Sequence, residues 1–191
     1  ELGHDRPAPT SGHFVQPAGE NKNIRICIII GFGGGIDMFF LDIKVTEALE
    51  KINFVKRYEL VSNTFNSART PLKERLRYID GENVMECLAR LGYKANFESK
   101  EKYFRIEEVQ IGTYTFSSNI ILDSGMVDIV WIVKESGKII LGLPIGEYSR
   151  LLISPTYKIM KPIFGTYTDL DEILEAIFKL FEDFKKEMIA S

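Results

Sequence analysis

Residues 24–30 form a nearly continuous β-branched run, Ile-Arg-Ile-Cys-Ile-Ile-Ile, that ends at Gly31. A short apolar run bounded by glycine predicts a strand in a sheet interior. Met38 to Ile52 predicts a helix, with Leu49 and Ile52 on one side, and Tyr58-Glu59-Leu60-Val61 predicts a second strand. Strand, glycine turn, helix and strand in that order make a βαβ unit. Thr70-Pro71 has the form of a helix start, hydroxyl cap followed by a residue that needs no N–H, and Leu72, Leu76 and Ile79 share the face that would follow. Asp80-Gly81 breaks this pattern, and Val84, Leu88 and Leu91 resume it until Gly92 stops it.

Beyond Tyr93 the period changes. Short alternating or β-branched runs cover Tyr93–Phe97, Tyr103–Ile106, Thr113–Leu122, Val127–Val133 and Lys138–Leu143. Together they predict an antiparallel meander. Asp123-Ser124-Gly125 and Glu135-Ser136-Gly137 fall where hairpins need residues that tolerate positive φ. Val127–Val133 is apolar on both faces and is expected to be central, with a layer on each side and Asp128 as its anomaly. The last segment carries Leu170, Ile173, Leu174, Ile177, Phe181, Phe184 and Met188 at helical spacing, with Thr168-x-x-Asp171 as its capping box. The expectation is one α+β domain over residues 23–191: an antiparallel or mixed sheet packed by helices, with an N-terminal strand–glycine turn–helix–strand segment. Residues 1–22, rich in Pro, Gly and polar residues, read as a disordered tail or a cloning remnant.

Composition narrows the chemistry. A net charge of -3 with scattered basic residues argues against a nucleic-acid or anionic-membrane surface. No apolar run approaches the roughly 18 residues of a membrane span, and the expected location is the cytoplasm. The two histidines, His4 and His13, both lie in the N-terminal tail, so the folded part lacks the side chain on which Ser-His-Asp, Cys-His and imidazole–metal sites are built. Cys27 and Cys87 fall on apolar positions and are expected to be free thiols. No catalytic residue, metal ligand set or cofactor is assigned.

Three candidate sites remain. Gly31, Gly33, Gly34 and Gly35 follow a strand and could cradle a phosphate, but Ile36 replaces the third glycine of the dinucleotide pattern and Ser62-Asn63 stand where its acid belongs. A sharp turn out of a sheet explains these glycines more simply. Asp37 and Asp42, five residues apart, would point in different directions on a helix, and Asp37 reads as a helix cap. The polar face of the last helix carries Glu172, Glu175, Glu182 and Asp183 with Lys179 and Lys186; it is either a solvated surface or, with Asp128, a docking face for a basic protein.

Glu82-Asn83-Val84-Met85-Glu86-Cys87-Leu88-Ala89-Arg90-Leu91-Gly92-Tyr93, then Val127-Asp128-Ile129-Val130-Trp131, then the helix after Phe164-Gly165-Thr166-Tyr167 together resemble the immunity proteins that neutralise bacterial polymorphic or contact-delivered toxins. The resemblance covers roughly residues 83–190 and implies a protein that acts by binding, with no catalytic residue. The expected function is therefore a non-enzymatic protein-binding domain, an inhibitor of a toxin or nuclease; the alternative is a nucleotide-binding enzyme or sensor that uses Gly31–Gly35.

Overall fold

The computed structural model describes residues 26–30 and 36–190. The fold is α+β. Its sheet is an antiparallel meander of five strands in sequence order: β3 (Ala95–Glu98), β4 (Tyr103–Ile111), β5 (Tyr114–Asp123), β6 (Met126–Glu135) and β7 (Lys138–Pro144). The expected hairpin turns form as read, with positive φ at Ser124 and Gly125 and again at Ser136 and Gly137. Strand β6 alternates: Val127, Ile129, Trp131 and Val133 are buried, while Asp128, Val130, Ile132 and Lys134 are only half-buried. It is an interior strand, but the two-sided burial expected for it is met on one face only.

That face is covered by helices. α2 (Phe54–Thr64), α4 (Ile145–Leu152) and α5 (Tyr167–Ala190) surround Trp131, whose ring lies 5.6 Å from Phe54, 5.8 Å from Tyr148, 4.9 Å from Phe181 and 5.3 Å from Phe184, and α1 (Ile43–Lys51) packs on α2 and α5. The apolar stripe expected for α5 is buried along its whole length. α3 (Gly81–Arg90) runs into β3 through Gly92, at φ 86°, where a left-handed residue ends the helix.

Five local expectations are corrected. The N-terminal segment is not a βαβ unit, because β1 (Ile26–Ile30) pairs antiparallel with β2 (Ile36–Phe40), so residues 38–40 are strand. Asp37 therefore sits in a strand, opposite Ile29, and the cap of α1 is Asp42, whose carboxylate accepts from the Lys44 N–H at 2.9 Å. The Gly31–Gly35 turn and the 1–22 tail lie outside the described residues. Tyr58–Val61 is helix, because Phe54, Tyr58 and Val61 are one turn apart and all buried.

Residues 71–80 form turns instead of a helix. The Leu76 N–H donates to the Phe164 carbonyl at 3.3 Å, a tertiary bond that takes the place of a helical one. Gly165 permits this approach, since a Cβ there would stand 2.8 Å from the Glu74 carbonyl oxygen. The capping box of α5 lies two residues before the expected pair. Thr166 Oγ1 accepts from the Asp169 N–H at 3.1 Å, and Asp169 Oδ2 accepts from the N–H groups of Gly165 and Thr166, each at 3.2 Å.

Candidate functional site

The carboxylates read from the sequence do not gather in one place. Glu172 and Glu175 are exposed on α5. Glu182 bonds the Tyr93 hydroxyl and pairs with Lys185, and Asp183 pairs with Arg57 at 2.8 Å and Lys186 at 3.5 Å. Burial raises the Asp183 carboxyl, but Arg57 and Lys186 outweigh it and hold the group below its ordinary range. Asp128 lies on β6 against Lys161, at 2.6 Å. Burial and the Glu182 carboxylate together raise the Tyr93 phenol, which stays neutral.

A different surface combines exposed apolar side chains with unneutralised charge. Phe97, on edge strand β3, is 50% exposed although its ring lies 4.8 Å from the buried Phe104. It forms a ridge between two shallow depressions. The first is lined by Phe97, Met85 and three carboxylates at the start of α3, Asp80, Glu82 and Glu86. The second is lined by Phe97, Ile79, Arg77 and Lys102, among others, and the intervening Tyr78 is 92% exposed.

Local sequence explains this arrangement. Asp80 is extended, and its carboxylate accepts from the Glu82 N–H at 3.0 Å, which starts α3 at Gly81. Val84, Cys87 and Leu88 form the buried stripe, which leaves Glu82 and Glu86 one turn apart on the outside with Met85 half-buried between them. Like charges at that spacing repel. Glu82 is favoured by the N-terminal helix dipole, but Glu86 is past the first turn, and neither is paired with a cation among the described residues. The signal for this surface was present in the sequence as Glu82-x-x-x-Glu86 and an aromatic at the end of a short strand. Their adjacency depends on how α3 folds back on β3.

Among the described residues no group of three or more His, Cys, Asp or Glu side chains could hold a metal ion, and no helix is long and apolar enough to cross a membrane. Comparison with protein-family models, curated proteins and solved structures finds no significant match to this chain.

Proposed function

We propose that the chain is a non-enzymatic protein-binding domain that captures a basic partner, in the manner of an inhibitor that neutralises a toxin or nuclease. The observation that carries this reading is the half-exposed Phe97 beside Met85 and the unneutralised carboxylates Asp80, Glu82 and Glu86. Aromatic and Met side chains are the usual anchors at the centre of an interface, and a ring of carboxylates steers a cationic surface toward them. A cation from the partner also relieves the Glu82–Glu86 repulsion, which gives the surface a physical reason to prefer basic proteins.

The test is a binding titration with a partner captured from the source cell and then purified. Phe97→Ser, and separately the Glu82→Lys/Glu86→Lys pair, should each weaken binding by about tenfold or more, equivalent to about 1.4 kcal/mol. Both leave the core intact, so the melting temperature should stay near wild type. Glu175→Lys on α5 serves as the contrast: weakening by that variant alone moves the interface to α5 and overturns the assignment to α3 and β3.

A further inference from the structure

A cleft of about 770 Å³, lined by both charged and apolar side chains, opens between α2, the start of α4 and the segment 158–163. Its frame is fixed by backbone bonds: the Val127 N–H donates to Pro162, Ile163 to Phe65 and Phe164 to Gly125, at 2.7–2.9 Å. The Ser62 hydroxyl adds a bond to the Met160 carbonyl at 2.7 Å. Three carboxylates line the cleft and each has a partner inside the chain. Asp128 is paired with Lys161 at 2.6 Å, Glu59 accepts from the Tyr157 hydroxyl at 2.8 Å, and Glu147 is paired with Arg150 at 2.8 Å.

Asp128 and Glu147 are thereby neutralised, whereas Glu59, bonded to a neutral phenol, keeps its charge; two cations of the lining remain without a partner among the described residues. Arg75 and Lys158 line it and bond to no acceptor among the described residues. Arg75 Nε is sealed from solvent and has no acceptor, so a ligand in the cleft meets only the rest of the guanidinium. α4 begins at this wall with Pro144 as its N-cap, which supplies no side-chain acceptor, and Gly146 lines the cleft in the first turn. A guanidinium fork, an ammonium and an uncapped helix start are together the donors that a phosphate group accepts.

A phosphate alone would leave most of this volume unfilled. The side chains of Asn63 and Ser67 line the remainder and offer further donors and acceptors, which suits hydroxyl groups. We propose that the cleft binds a small phosphate monoester with a hydroxylated body, its phosphate on Arg75 and Lys158. This site is separate from the Phe97 surface and stands or falls independently of it.

The experiment is calorimetric titration of the full chain with ribose 5-phosphate, inorganic phosphate and ribose at constant ionic strength. Ribose 5-phosphate should bind saturably and be displaced by inorganic phosphate, while ribose alone should give no signal. Arg75→Gln and Lys158→Gln should each weaken binding by about tenfold. Lys158 is exposed, so its variant keeps the wild-type melting temperature and separates loss of binding from loss of fold. Absence of saturable ribose 5-phosphate binding, binding of ribose as tight as that of its phosphate, or an affinity unchanged in both variants would overturn the proposal.

Discussion

Cys87 is 2% exposed on the inner face of α3, and burial, reinforced by the Asp171 carboxylate, pushes its thiol up to about 12. The thiolate is the reactive form, so the folded protein should leave Cys87 unmodified by maleimide at pH 8. Peptide mapping should find the label on Cys87 only when denaturant is added; labelling of the native protein at the rate of a free thiol would contradict this burial. The apolar position of Cys87 was legible from the helical period alone. Asp128 was legible as an anomaly, but its partner was not: Lys161 is far along the chain, and the sequence carries no periodic signal that joins them.

Elements with a long, consistent period were the legible ones, as β4 to β7 and α5 show. Short windows misled where tertiary contacts decide. Tyr58–Val61 alternates over only four residues, and the burial of Phe54 one turn earlier makes it helix. Thr70-Pro71 is a sound helix start whose following residues are drawn instead toward Phe164 and Gly165. The start of α5 contains two overlapping Thr-x-x-Asp registers, Thr166–Asp169 and Thr168–Asp171, and spacing cannot choose between them. Both aspartates are paired, Asp171 with Arg90 at 2.6 Å and Asp169 through Oδ1 with Arg69 at 2.7 Å, but only Asp169 turns its other oxygen and its N–H to the helix end, where Thr166 meets it. Thr166→Ala should therefore lower stability by about 0.5–2 kcal/mol, whereas Thr168→Ala should change it by less than about 0.5 kcal/mol. Equal effects in denaturant unfolding would contradict the assigned register.

At the scale of the molecule, α5 is the axis to which other elements attach by charge. Lys51 of α1 pairs with Glu187, Arg57 of α2 with Asp183, Arg69 with Asp169, and Arg90 of α3 with Asp171. These pairs are partly exposed and individually weak, less than about 1 kcal/mol each. Asp183 and Glu135 have carboxyl pKa values lowered in the fold. For Glu135 the Lys44 ammonium is the main cause, and for Asp183 the Arg57 and Lys186 cations overcome burial. A lowered folded-state pKa contributes stability above the unfolded value and loses it as pH falls through the folded value. The melting temperature should thus hold near neutral pH and decline below about pH 4, and Asp183→Asn should flatten part of that decline. A variant with the wild-type slope would remove Asp183 from the acid response.

α3 and its cap Asp80 supply the carboxylates beside Phe97. Their value as a surface was not legible, because the half-exposure of Phe97 depends on β3 being an edge strand, a property of the whole sheet. The most direct test is site-specific photocrosslinking in the source cell with a benzophenone side chain at position 97, and a second at Ile139, an exposed residue on the opposite edge strand β7. The account predicts that position 97 yields one discrete crosslinked partner, that this partner is a basic protein, and that Glu82→Lys/Glu86→Lys abolishes the adduct. A discrete adduct from position 139 with none from position 97, or a position-97 adduct indifferent to the charge reversal, would contradict it.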